Sequence, residues 1–451
     1  MNKKNLQIFA DMYKNLNGLL DNESIKDIFI GFLFLQYLSD NKYQISNKDI
    51  QFDHIESLIT NNELKITTFI EYLNNIQKSF PTHYQDIFND TINTLRTLTI
   101  TTDQISFVIN YIIKTISMFE DVNGGLLEQY ITYNTTEINK YGTESYTPAS
   151  INKLLAKIAN SFTYQTIMDS TIGYASTIAA VFRTGNKIFG EEINAKVARL
   201  GKINLLMHNI PIEDINIVTG DSLLKDSFKN ISSDLIISVP PFSVQWNNQL
   251  LEGDPRFSMG IPPRSKADFA FLQHNLYHIN NKGHALSVMA NGVLFRGGKE
   301  AKIRKSMIEG GFIDSIISLP ARLLLDTSIP VSIIIFSKQP VQNILFINAS
   351  NDFKKNRRYN ELNDKQIDKI AQTFVKRNNV AKYSYLASLD EVRQKNYNLN
   401  VSNYIDTYEA PNSIDIKKSV LRLHELQNEE EKLKNEWDLI YNSLLKLVGT
   451  R

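Results

Sequence analysis

Two rhythms of apolar residues divide the chain. Up to about residue 120 the apolar positions recur at helical spacing, as in SIKDIFIGFLFLQYLSDNKYQ (24–44) and DQISFVINYIIKTISMF (103–119), and no alternating strand pattern interrupts them. The polar run Asp21-Asn22-Glu23-Ser24 offers an N-cap for the first of these. A stretch rich in Gly, Asn and Thr, from Asp121 to Thr147, then breaks the pattern and marks a boundary. Beyond it, short β-branched runs alternate with helical ones: QTIMD (165–169), NKIFGEE (186–192), INIVTGD (215–221), DLIISVP (234–240), ALSVMAN (285–291), SIISLP (315–320) and VSIIIFS (331–337). Strands alternating with helices predict a doubly wound, mostly parallel sheet of seven strands, buried on both faces. The predicted organisation is a helical domain over 1–120, a linker over 121–144, an α/β domain over 145–345, a mixed extension over 346–410 and a C-terminal amphipathic helix within 411–451. In that helix, placed from about Ser413 to Leu447, Leu426, Leu433, Trp437, Ile440, Leu444 and Leu447 make one apolar seam. Such a seam packs against another helix, of this chain or of another.

Composition narrows the function. The 451 residues carry 49 Lys and Arg against 48 Asp and Glu, so bulk charge does not coat nucleic acid; a local basic face or a partner subunit would have to do it. There is no cysteine, which excludes disulfides and thiolate metal sites. No apolar run approaches a membrane span and no signal peptide is visible, so a cytoplasmic protein without membrane contact is expected.

In a doubly wound sheet the ligand sits beyond the carboxyl ends of the strands. The first predicted strand ends in Asp169 and turns through Gly173 into a helix, where free N–H groups face outward. The second ends in Glu191-Glu192, placed to accept both hydroxyls of a ribose, and the third in Asp221, placed to receive an adenine amino group. Taken singly, each fits an ordinary βα loop or a solvated edge; in chain order they compose an adenosyl site. The fourth ends in Val239-Pro240-Pro241-Phe242, a rigid turn suited to wall a pocket for a flat base.

With those motifs the chain resembles the modification (M) subunit of type I restriction-modification systems. The resemblance runs through FLFLQYLSD (32–40), YGTESYTPASINKLLAKI (141–158), the second and third strand ends, ADFAFLQHNLYHI (267–279), NGVLFRGGKEAKIRKSMIEGGFIDSIISLP (291–320), NYNLNVSNYI (396–405) and the C-terminal helix. It implies a methyltransferase that transfers methyl from S-adenosyl-L-methionine to adenine N6 in DNA, assembled with a specificity subunit, a second M subunit and a restriction subunit. By the same resemblance Thr147, Asp169, Gly173, Glu192 and Asp221 contact the cofactor. Val239, Pro240, Pro241 and Phe242 form the pocket for an adenine flipped from the duplex, with Phe242 stacked on it.

Two departures put activity in question. The family has Asn or Asp where this chain has Val239; losing one preorganised polar group costs on the order of 10²–10³ in rate. Ser238 is adjacent but points to the opposite face. The family loop reads roughly Asp-Pro-x-Cys-Gly-Ser-Gly, whereas here Tyr174 and Ala175 follow Gly173. If the Ala175 position needs a positive φ, alanine there adds about 1 kcal/mol or more of strain. A catalytically inactive M-like homologue, acting in DNA binding or assembly, therefore stands as the alternative; methylation of a protein or RNA amide nitrogen is a third reading. His274 and His278 share a helix face, but no third ligand accompanies them in sequence and no metal is expected. Lys299, Lys302, Arg304 and Lys305 read as a solvated face, Arg296 as a better DNA contact, and Lys354–Arg358 as a basic stretch for DNA or a partner.

Overall fold

The computed structural model describes residues 2–41, 44–45, 48–49, 66–138, 146–247, 253–325, 327–356, 359–407 and 416–448. Among the described residues six α-helices come first: α1 (Lys3–Leu16), α2 (Asn22–Asp40), α3 (Ile66–Ser79), α4 (Asn89–Thr97), α5 (Thr102–Ile116) and α6 (Gly124–Tyr133). Asp21 caps α2 as expected, accepting from Ser24 N at 2.8 Å. From Ile25 to Leu38 nearly every α2 side chain is buried, so α2 is the axis of this helical region rather than a surface helix. A two-residue antiparallel pair, Gln44–Ile45 with Lys48–Asp49, interrupts the helices where no strand is expected.

The α/β region follows with α7 (Ala149–Ala159), β1 (Thr166–Asp169), α8 (Ser176–Val181), β2 (Lys187–Glu192), α9 (Ala195–Met207), β3 (Ile215–Thr219), β4 (Ser233–Ser238), α10 (Asp268–His278), β5 (Ile279–Ala290), α11 (Gly298–Glu309), β6 (Ile313–Ser318) and β7 (Val331–Ser337). These seven strands are the seven runs read from the sequence. They lie in the order β3-β2-β1-β4-β5-β7-β6, and β8 (Asn343–Asn348) and β9 (Ser384–Ser388) extend the sheet beyond β6 to nine strands. Pairing is parallel from β3 through β5 and between β6 and β8; β7 runs antiparallel to both its neighbours, and β9 to β8. The register Met168↔Ile236 sets β4 beside β1, and the chain leaves these two strands in opposite directions. That is the switch point, where a doubly wound sheet opens a crevice.

The helical region is clasped to α9. Arg199 pairs with Asp90 at 2.6 Å, and Tyr37 Oη donates to the Leu206 carbonyl at 2.6 Å. Another helix, α12 (Asp364–Lys376), joins α7 through Lys153 and Asp364 at 3.4 Å. Residues 1–405 form one compact unit and 406–451 a second. The second holds one long helix, α13 (Ile416–Val448), 33 residues, whose described side chains are all exposed, Leu433 and Trp437 at 65% each. The expected apolar seam is present; Leu447 falls among side chains outside the described set. No described helix is long and apolar enough to cross a membrane.

Candidate active site

The switch point carries a cleft of about 500 Å³, lined by the carboxyl ends of β1 to β4 and their loops. Thr147, Asp169, Gly173, Glu192, Asp221, Val239 and Pro241 all line it. Pro240 is buried and Phe242 half-buried against the core, and neither belongs to the lining.

The cleft is assembled from loops that hydrogen-bond themselves into shape. After β1, Thr171 N donates to Asp169 Oδ1 at 2.9 Å, closing a tight turn. Gly173 adopts φ 53 and Ala175 φ 58, so the strain foreseen for a left-handed alanine is present. Helix α9 presses close beneath: a Cβ on Gly201 would meet the Gly173 carbonyl at 2.7 Å. Tyr174 is buried, its ring 5.9 Å from that of Tyr146, and its carbonyl accepts from Asn204 Nδ2 at 2.9 Å. Glu192 reaches over this loop, accepting from Gly173 N at 3.1 Å through Oε2 and from Asn194 N at 2.9 Å through Oε1. Asp221 accepts from Leu223 N and Leu224 N through Oδ1, and its Oδ2 has no hydrogen-bond partner among the described residues. The Thr147 carbonyl accepts from Asn152, whose Oδ1 in turn accepts from Thr177 at 2.9 Å, stitching this segment to α8. Residues 141–145 of the same sequence block lie outside the described residues.

Burial pushes the Asp169 carboxyl up to about 7; the Thr171 hydrogen bonds oppose the rise and the Glu192 charge adds to it. Asp169 is thus poised to gain or lose a proton near neutrality.

Beyond β4 the chemistry changes. Val239 presents an aliphatic side chain, while Ser238 is fully buried with its Oγ 3.3 Å from Thr171 Oγ1 and outside the lining. Ser243 turns the chain at φ 53, its N–H held by Asp268 Oδ1 at 2.7 Å. Asp268 is fully buried and also binds Arg296, which Glu300 holds at 2.6 Å. Arg296, read from the sequence as a DNA contact, is thereby committed to bracing this turn. Trp246 and Phe271 line the cleft too, and no sequence signal marked them: Phe271 comes from α10, and Trp246 from the 243–247 loop, which bonds to Arg264 and Ala267 just before that helix.

The remaining candidates sit apart. Lys299, Lys302 and Lys305 are exposed on α11, whereas Arg304 is buried and donates to the Tyr397, Val293 and Arg296 carbonyls. Lys354–Lys355 pair with Asn360–Glu361; Arg357 and Arg358 lie outside the described residues. The fold does bring a third group, Asp226, to His274 and His278, all within 4.8 Å. Yet Arg256 Nη1 stands 3.0 Å from His274 Nδ1 and 4.0 Å from Asp226, and His278 contacts Asp226 at 3.1 Å and the Ile231 carbonyl at 2.7 Å. A guanidinium already supplies positive charge in this cluster.

The sequence pattern of the N-6 DNA methylase family matches residues 118–412. The MpnII methylase subunit of a type I restriction enzyme from Mycoplasma pneumoniae is 30% identical over 83% of this chain and 77% of its own length. The MjaVII methylase subunit from Methanocaldococcus jannaschii is 31% identical over 70% of this chain and 58% of its own length. This chain therefore spans little more than half of that archaeal relative. The crystal structure of a type I restriction-modification methyltransferase subunit from Streptococcus thermophilus superposes with a TM-score of 0.81 at 26% identity, covering 89% of this chain and 99% of that one.

Proposed function

The chain belongs to the N-6 DNA methylase family, with the methylase subunits of type I restriction-modification systems, and from that premise we propose that it methylates adenine N6 in DNA using S-adenosyl-L-methionine, assembled with a specificity subunit. The observation that carries the reading is the convergence of the β1, β2 and β3 carboxyl ends, with Asp169, Glu192 and Asp221, on one cleft of about 500 Å³. The volume suits a ligand of drug-like size, about 300–1,000 Å³.

The residues present fit the cofactor. Glu192 keeps lone pairs on both oxygens after holding Gly173 and Asn194, enough to accept two ribose hydroxyls. The uncommitted Asp221 Oδ2 accepts from an adenine amino group. Gly173 lets the cofactor approach the backbone, and ionised Asp169 favours a cationic group beside it. When bound, S-adenosyl-L-methionine supplies an electrophilic sulfonium methyl. Val239 and Pro241 wall one side of the cleft, and Trp246 and Phe271 supply aromatic surface for a flipped base. Stacking on Phe242 requires its half-buried ring to turn toward the cleft.

The seam of α13 fits helices of a specificity subunit, which would carry the DNA recognition that this near-neutral chain lacks. Co-expression with the cognate specificity subunit should leave N6-methyladenine at a bipartite site, and purified protein should bind S-adenosyl-L-methionine by calorimetry. Cofactor binding without any methylation would move the chain to the alternative of a non-catalytic assembly subunit, which Val239 favours.

A further inference from the structure

Val239 has no atom that accepts a hydrogen bond, so an amine entering the cleft needs an acceptor from elsewhere. Most polar side chains of the lining are engaged in building it. Asp169 holds Thr171, Glu192 holds Gly173 and Asn194, and the Asn194 side-chain Oδ1 caps α9. Gln245 is an exception on the loop that follows β4. It is exposed, it lines the same cleft as Val239 and Pro241, and its side-chain amide makes no hydrogen bond among the described residues.

Its backbone is nonetheless fixed on both sides. The Val244 carbonyl accepts from Ala267 N at 2.9 Å, and Trp246 N donates to the Arg264 carbonyl at 3.0 Å. The Trp246 indole donates to the Pro263 carbonyl at 3.1 Å. One turn earlier the Ser243–Asp268 hydrogen bond sets the direction in which the loop returns. The result is an amide with no hydrogen bond among the described residues, on an anchored loop a few residues past the Pro-Pro turn.

We infer that Gln245 Oε1 accepts the hydrogen bond of the target adenine amine, the role for which Val239 has no atom. The inference rests on the methyltransferase reading. In the transfer, the N6 lone pair forms the new N–C bond as the S–C bond breaks, and the bonding pair stays on sulfur as a neutral thioether. The surplus N6 proton goes to water. Gln245 stays neutral throughout: it aligns the N–H and so aims the lone pair at the methyl, as a preorganised dipole does.

The test uses the complex with the cognate specificity subunit and follows both methylation and cofactor affinity. Gln245→Leu, which keeps the bulk, is expected to lower kcat on the order of 10²–10³-fold while the cofactor Kd stays within about twofold. Adding Val239→Asn to Gln245→Leu should restore at least about tenfold of that loss. Methylation by Gln245→Leu at the wild-type rate overturns the inference alone, as does a parallel loss of cofactor binding, which would mark Gln245 as merely structural. A wild-type complex that binds cofactor yet never methylates overturns it in favour of the assembly subunit. Failure of wild type to bind cofactor overturns the methyltransferase reading itself.

Discussion

At the ends of β1, β2 and β3 each carboxylate that faces the cleft accepts backbone N–H groups of the loops around it, whereas at the end of β4 the side chain facing the cleft is the aliphatic Val239. The first half is polar, self-bonded and strained at Ala175; the second is aromatic and lacks an acceptor at the strand end itself. On the proposed function, holding a nucleotide cofactor and directing an amine toward it would be separate properties of the fold. One can persist while the other is rebuilt.

The contrast breaks most readily at Asp268, which braces the second half from beneath. Asp268→Ala leaves the Ser243 N–H without its partner and Arg296 with Glu300 alone, so two hydrogen bonds to a charged group are lost, each worth about 1.5–3 kcal/mol. Urea unfolding should register the loss, and methylation should fall with it. A smaller and more local effect is expected across the cleft. Glu192→Ala removes a charged acceptor worth about 1.5–3 kcal/mol, so cofactor affinity should drop roughly ten- to a hundredfold by calorimetry.

Proton linkage probes the first half alone. Asp169 titrates near 7 in the folded protein against 3.8 in an unfolded chain. Its raised value means that its contribution to stability is fully present below the unfolded value and lost as pH rises through about 7. A cationic cofactor favours the ionised form, so its affinity should rise about tenfold between pH 6 and pH 8. Asp169→Asn should flatten both dependences, and a pH-independent wild type would show that no charge meets Asp169. The smallest effect concerns Ala175. Ala175→Gly relieves about 1–2 kcal/mol of left-handed strain but returns about 0.4–1 kcal/mol in unfolded-chain entropy. Thermal melting should therefore rise by a few degrees at most.

The seven strands of the α/β core were readable because buried parallel strands are near-continuous apolar runs, and their ends carried the polar residues that now share a cleft. The two added strands were not. SYLAS (384–388) alternates too weakly to separate from a loop, and it becomes a strand only by pairing with β8. Nor does periodicity reveal contacts between distant residues. Nothing local marks Asp268 as the partner of Arg296, 28 residues on, and without that partner Arg296 looked like a free cation. Trp246 and Phe271 escaped for the same reason, since a loop returning onto a helix leaves no repeat in the chain. Asp226 reaches His278 across 52 residues, out of range of any spacing rule.

The exposed seam of α13 has a consequence for supply inside a cell. At 1.5 Å per residue the 33-residue helix is about 50 Å long, and its leucines and Trp437 face water. If a specificity subunit covers this seam, as proposed, copies made in excess of it would carry an adhesive, protease-accessible rod. Their survival would then depend on how much of that subunit is present, not on the folding of residues 1–405. Subunit amounts would be balanced after translation by clearance of unpaired chains, with the helix acting as the tally.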